Sequence, residues 1–396
     1  MSLMRDSKPP NRFYRPELDV VRVIAFFLVF LRHSLPRSGD PRIEHLLKGF
    51  APAFDAVADA CGFGLSLFFT LSAFLICELL LRESAAAGSV GVKQFYIRRI
   101  LRIWPLYYLA LVLGVISAFL PHGPHITVID VALFSIFLGA WRSALYGCLI
   151  GPISPLWSIS VEEQFYLFAP WVVKYFNRKV LYWFCAAIIL VADAWLHYLG
   201  SVRANGSRIW ADSFVQFQCF AAGILLCLNL RGRVPRIAIW LRLILMAGCC
   251  VCWIAASYGL RICFAEASDN PGSWPLIGGY ALVALGCVLL LIAFLGVSPE
   301  LLPRWAIYLG QISFGLYVFH EFALGLVRHL PLARLGLGKI PICPLRVFLS
   351  AGLTLVLPLG LTILMAALSY RYFETPFLKM KKRHAIIESQ PIAGTS

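Results

Sequence analysis

Ten stretches of the chain are apolar over a length that can cross a bilayer: residues 17–36, 60–81, 99–120, 155–176, 179–198, 212–230, 237–258, 276–297, 307–328 and 345–372. A hydrocarbon core of about 30 Å takes roughly 20 helical residues, so this pattern predicts an all-α, polytopic membrane bundle of about ten transmembrane helices. A shorter apolar run, residues 128–140, carries Asp130 and is read as an outer or re-entrant helix, with Pro155 to Phe176 making the crossing. Lys and Arg gather in every second connector: the N-terminal segment, Arg82 to Arg102, Lys174 with Arg178 and Lys179, Arg231 to Arg236, Arg304, and Lys379 to Arg383. That phase places both termini in the cytoplasm. Residues 1–14 and 383–396 read as disordered tails, 15–378 as one transmembrane domain and 379–396 as a basic cytoplasmic tail, with no internal repeat.

Composition supports the same solvent. Of 396 residues, 60% are hydrophobic and 14% charged, and mean hydropathy is +0.78, more apolar surface than a soluble globule can bury. The net charge of +15 resides in the connectors, and no basic groove with exposed aromatics points to nucleic acid. Cys77, Cys185, Cys219, Cys227 and Cys287 fall inside apolar runs as small hydrophobes, and the C-x-x-C of Cys249 and Cys252 lies mid-run, where packing is expected. The basic residues Lys8, Arg12 and Arg15 before an apolar run mimic a signal peptide. With no small-x-small cleavage site, and with Arg22, Arg32 and His33 interrupting the run, it reads as a retained first helix.

Ionisable groups inside the runs are the candidate chemistry. Arg22 and His33 are eleven residues apart, about 1100° of helical rotation and roughly 16 Å of rise, so they share one face three turns apart. Arg98, Arg99 and Arg102 cover about 100° of the third helix; guanidinium forks there suit phosphate oxygens, and equally suit lipid headgroups. In Pro155 to Tyr166, Glu162 shares a face with Ser158 and Tyr166, whereas Glu163 points elsewhere. The competing reading of that carboxylate is an interhelical ion pair. In Gly310 to His320, Ser313, Tyr317 and His320 recur at spacings of four and three as one polar stripe, which a hydrogen-bonding helix contact would also explain. Tyr370 to Pro376 reads as an interfacial anchor.

Taken in order, Arg22-x10-His33, Phe68 to Ile76, Arg99-x-x-Arg102 with Ile103-Trp104-Pro105-Leu106-Tyr107, Trp157 to Tyr166, Gly310 to His320 and Tyr370 to Pro376 resemble the membrane acyltransferase type 3 family. Six segments in sequence carry this resemblance across most of the chain. It implies an enzyme of a bacterial inner membrane that moves an acyl group, often acetyl, from acyl-CoA to a hydroxyl of a cell-surface or lipid-linked carbohydrate. It also implies that His33 is the essential histidine, that Arg22 belongs with it, that Arg99 and Arg102 handle the donor, and that Glu162 is the matching carboxylate. Ala73 stands where the family more often has glycine, and Ile159 replaces a usual leucine. Some relatives append a soluble esterase-like domain, for which this chain is expected to lack room.

The resulting expectation is a polar cavity lined by Arg22, His33 and Glu162. It opens on a donor site of Arg98, Arg99 and Arg102, with Ser158, Tyr166, Ser313, Tyr317 and His320 as further lining candidates. His33 would act as general base or transient acyl carrier, and Glu162 would orient it. No G-x-S-x-G elbow is present, and His122 and His125 lack a clear third ligand, so neither a serine nucleophile nor a metal is expected, and no permanently bound cofactor. The alternative is a transporter or flippase of a lipid-linked sugar or small solute, since polar stripes also line substrate pathways.

Overall fold

The computed structural model describes residues 2–5, 13–38, 40, 49–120, 123–264, 270–329, 343–385 and 387. The first helix, α1, is Pro16–Ser34, and α2 (Ala51–Gly62) runs through Phe63 into α3 (Gly64–Ala87). Helix α4 is Val92–Ala118, followed by two short helices, α5 (Val128–Ser135) and α6 (Gly139–Tyr146). Then come α7 (Leu156–Tyr175), α8 (Arg178–Ser201), α9 (Gly206–Ala211) and α10 (Ser213–Leu230). Helix α11 (Ile239–Ile254) ends in a π-turn, and α12 (Ser273–Phe294), α13 (Arg304–Gln311) and α14 (Ser313–His329) follow. The last two are α15 (Cys343–Leu368), closed by a π-turn over Ser369–Glu374, and α16 (Thr375–Lys382). The two strands among the described residues, β1 (Ser2–Arg5) and β2 (Arg233–Arg236), pair antiparallel with Ser2 opposite Arg236 and Arg5 opposite Arg233. Part of the expected N-terminal tail is therefore ordered as a strand.

Among the described residues, seven helical stretches are long and apolar enough to cross a bilayer: Ala51–Ala87, Val92–Ala118, Arg178–Ser201, Ser213–Leu230, Ile239–Gly259, Ser273–Phe294 and Thr354–Lys382. The chain is a multi-pass membrane protein. The other runs expected to cross correspond to α1, α7 and the α13–α14 pair. Each is shortened or diluted by polar residues: Glu17, Asp19, Arg22 and Arg32 in α1, Glu162 and Glu163 in α7, and a break at Ile312 ahead of His320 and Glu321. These three elements carry most of the candidate chemistry. The run at 128–140 is two helices rather than one, because Phe137 between them takes φ 58°. Tyr107 and Tyr108 of α4 donate to the Phe134 and Ser135 carbonyls (2.7 and 2.8 Å), which ties that segment to the bundle.

Burial sorts the helices into a centre and a rim. In its most apolar stretch Ala51–Ala87 is 78% buried, whereas Arg178–Ser201 is 22% buried, so α3 is central and α8 turns apolar side chains such as Trp183 and Leu190 outward. An outward apolar face is what hydrocarbon solvates. Without a hydrophobic driving force between helices, close packing needs small residues. A Cβ placed on Gly223 of α10 would sit 2.2 Å from the Thr70 carbonyl oxygen and 3.0 Å from the Ala73 Cβ of α3. The close approach expected of a glycine at 73 is thus supplied from the facing helix, which accommodates Ala73. Likewise Gly310 of α13 lies against the Asp19 backbone of α1 and fixes those two helices together.

Candidate active site

A cavity of about 160 Å³ lies where α1, α3, α4, α7, α14 and α16 converge. At one end Arg22, Arg99, Arg102 and Lys381 line it; further along come Ser72, Glu162 and Tyr166, then Ser158, Ser313 and Tyr317. Local sequence explains the placement. Arg99 and Arg102 are three residues apart on α4, one turn, so both reach the same wall. The Arg99 guanidinium stacks near the Phe95 and Tyr166 rings, 5.7 and 5.6 Å from their centroids, within cation–π range. Arg22 is bonded to Asp19, a fully buried carboxylate that also accepts from Tyr14 (2.8 Å). No salt bridge among the described residues engages Arg99, Arg102 or Lys381, and Arg99 Nε is buried without a hydrogen-bond partner.

The two neighbouring glutamates diverge, as 100° of helical rotation requires. Glu162 Oε1 accepts from Ser72 Oγ (2.5 Å) and from the Tyr166 hydroxyl, and these two hydroxyls are 2.6 Å apart. Glu163 leaves the cavity and accepts from Trp104 Nε1 at 3.1 Å. Ser158 Oγ and the Tyr317 hydroxyl are 2.6 Å apart, and Tyr317 also donates to the Pro155 carbonyl at 3.3 Å, which fixes its ring at the far end of the cavity.

His33 is not among the cavity's lining residues. It sits in the last turn of α1, where its Nδ1 bonds Glu321 of α14, a carboxylate that also lies 3.9 Å from Arg328. Arg328 in turn donates to the His33 carbonyl at 2.9 Å. Between His33 and the cavity stand two rings: His320 is 5.0 Å from His33, and Tyr317 is 5.5 Å from His320, centroid to centroid. The expected single shaft joining Arg22, Glu162 and His33 is therefore interrupted at Tyr317. Three helical turns of about 5.4 Å separate Arg22, which lines the cavity, from His33, which does not. The carboxylate beside His33 is Glu321, and Glu162 belongs to the cavity. Buried His320 turns Nδ1 to the Tyr317 carbonyl, which requires a proton on that nitrogen, and its Nε2 is buried without a hydrogen-bond partner. Ligand atoms of His33, His320 and Glu321 lie within 4.8 Å of one another, a set with the composition of a divalent-ion site.

Arg98 is also elsewhere than expected. It is 3% exposed and bonds Glu83 Oε2 (2.7 Å) and the His384 carbonyl (2.9 Å), away from the cavity. Of the expected cavity residues, Arg22, Arg99, Arg102, Glu162, Ser158, Tyr166, Ser313 and Tyr317 line it, while His33, His320 and Arg98 do not. Sequence reasoning does not single out Asp19, Glu321 or Lys381, and it weighs Ser72 only as an unsuited nucleophile. Glu321 had a signal, since it follows Tyr317 by four residues on one helical face. The Cys249–Cys252 pair is two free thiols, and His122 lies outside the described residues.

Comparison with known proteins covers nearly this whole assembly. A Staphylococcus aureus (strain MSSA476) protein named "Putative O-acetyltransferase" is 23% identical over 92% of this chain and 58% of its own length. Peptidoglycan O-acetyltransferase OatA of Listeria monocytogenes is 24% identical over 93% of this chain and 56% of its own, and O-acetyltransferase OatA of S. aureus is 23% identical over 92% and 57%. The chain thus spans a little over half the length of these relatives. No solved structure matches it. The acyltransferase domain profile matches residues 15–373, which include α1 with Arg22 and His33, the arginines of α4, Glu162 of α7 and the His320–Glu321 pair. This chain belongs to the acyltransferase type 3 family.

Proposed function

We propose that the protein is a membrane O-acyltransferase that takes an acyl group, acetyl by family resemblance, from acyl-CoA and delivers it to a carbohydrate hydroxyl. The observation that carries this is the cavity lined at one end by Arg99 and Arg102, neither in a salt bridge with a described residue. Buried guanidinium groups without a direct ion pair are costly unless an anion joins them, and their planar forks match phosphate oxygens. With the basic connectors in the cytoplasm of a bacterial inner membrane, that end faces the compartment where acyl-CoA is made. The pantetheine arm would run past Glu162 toward Tyr317.

At the other end, the His33 side chain is 32% exposed and held by Glu321, so an acceptor can approach it from outside the cavity. With Glu321 holding the Nδ1 proton, His33 Nε2 is the free base. It would take the acceptor hydroxyl's proton as the oxygen attacks the thioester carbon. The C–O bond forms, the C–S bond breaks, and the imidazolium returns its proton to the leaving thiolate. The two ends communicate once the Tyr317 ring moves, since its bonds to Ser158 and Pro155 hold it between them. The printed name of the Listeria monocytogenes relative, a peptidoglycan O-acetyltransferase, supports a cell-wall glycan as the acceptor class. Family membership favours this reading over a transporter. The test of the donor site is binding of acetyl-CoA to purified protein. The Arg99→Ala, Arg102→Ala double variant should lose at least about 100-fold in affinity, two charge-assisted contacts' worth, while remaining monodisperse in detergent. Unchanged affinity would refute it.

A further inference from the structure

We propose that Lys381 is a donor-binding residue, a third unpaired cation that α16 adds to Arg99 and Arg102 to receive a phosphate of the donor's nucleotide end. This rests on the reading of the cavity as the donor site.

Lys381 comes from a segment that the sequence places in a basic tail, yet it is buried at 8% exposure and lines the cavity, while Lys379 and Lys382 of the same helix are exposed. Ordinary cytoplasmic positive charge explains the exposed pair, which can reach lipid headgroups. It does not explain an ammonium taken out of water. A buried lysine costs several kcal/mol unless an anion accompanies it, and no salt bridge among the described residues supplies one. The other cations at this end are already matched: Arg22 by Asp19 and Arg15 by Glu17, 3.6 Å away. That leaves Arg99, Arg102 and Lys381 without a salt bridge; Glu162 and Glu374 act on the two arginines from beyond ion-pair distance, whereas the charged groups acting on Lys381 are all arginines, and coenzyme A carries three phosphate groups.

The chain invests in holding this lysine there. Thr375 Oγ1 donates to the Tyr370 carbonyl (2.6 Å) at the junction with the π-turn, which fixes where α16 starts. Helix α16 packs on α4, the helix of Arg99 and Arg102, and Leu378, one turn before Lys381, is buried with it. Beyond the helix, Arg98 holds the His384 carbonyl, and Ile387 packs with Phe13 and Leu79. Arg98 therefore serves the site indirectly, by anchoring the segment that delivers Lys381. This segment lies past residue 373, where the match to the family profile ends.

The test is donor binding to the full-length protein in detergent, with acetyl-CoA and with 3′-dephospho-acetyl-CoA. Lys381→Met should weaken acetyl-CoA binding by about tenfold to 100-fold, Lys381→Arg should restore it to within about threefold, and the surface control Lys379→Met should leave it unchanged. If the 3′-phosphate meets Lys381, the dephospho donor binds Lys381→Met and wild type alike; if the diphosphate does, both donors are weakened. Either result supports the proposal and names the phosphate. In wild-type protein, needing no variant, acetyl-CoA should protect Lys381 but not Lys379 from an amine-reactive label read by mass spectrometry. Wild-type affinity of Lys381→Met for both donors, or absence of protection, overturns the proposal where the Arg99→Ala, Arg102→Ala variant has lost binding. If that double variant also binds normally, the donor-site reading itself has failed.

Discussion

Glu321→Gln isolates the contact between His33 and its carboxylate. The substitution keeps the side chain's shape and removes its charge at a residue that is 7% exposed, so water replaces little of what is lost. On the proposed mechanism the carboxylate both fixes the imidazole's Nδ1 proton and stabilises the imidazolium formed when the acceptor is deprotonated. A hydrogen bond to a charged group is worth about 1.5–3 kcal/mol, and about 1.4 kcal/mol is tenfold in rate, so kcat should fall between about tenfold and 150-fold. Loss of the imidazole's orientation would add to this. Because Glu321 is not among the cavity's lining residues, the KM for acetyl-CoA should stay within about twofold. The assay is transfer from labelled acetyl-CoA by purified, monodisperse protein, with donor affinity measured separately. A variant with full kcat, or one that loses donor affinity and kcat together, would refute the assignment of Glu321 as His33's positioning residue.

Three more outcomes follow from the geometry. Glu162→Gln should lower activity by about tenfold or more, because its carboxylate is the acceptor for both Ser72 and Tyr166, whereas Glu163→Gln should stay within about threefold of wild type. Gly223→Ala should destabilise the bundle by about 1–3 kcal/mol in a detergent thermal-shift assay, since its Cβ meets the Thr70 backbone; Gly325→Ala, with open space around it, should not. Chelation by EDTA should leave transfer intact. Loss of activity on chelation, restored by Zn²⁺, would instead make His33, His320 and Glu321 metal ligands.

Helix positions were legible in the chain because apolar run length and connector charge are one-dimensional properties. The run at 212–230 became Ser213–Leu230 and that at 155–176 became Leu156–Tyr175. The divergence of Glu162 from Glu163 was legible too, since rotation within one helix is fixed by spacing. Which faces meet across helices was not. His33 and Glu321 are 288 residues apart, and nothing local to either says that the end of α1 packs beside α14. Arg98 looked like its neighbours Arg99 and Arg102 until Glu83 and the chain after α16 claimed it. Lys381 read as tail charge because its burial depends on α16 lying against α4, a tertiary contact that overrides a polar sequence. Tyr317 was placed on the polar stripe, but its role in ending the cavity emerged only from the Ser158 and Pro155 partners.

The most direct measurement is acetyl transfer from acetyl-CoA to an oligosaccharide acceptor by purified protein in detergent, comparing wild type with His33→Ala. The reading of His33 as the base predicts transfer by wild type. It also predicts that His33→Ala keeps wild-type donor affinity but loses transfer by about two orders of magnitude or more. Transfer at the wild-type rate by a folded His33→Ala protein would contradict it.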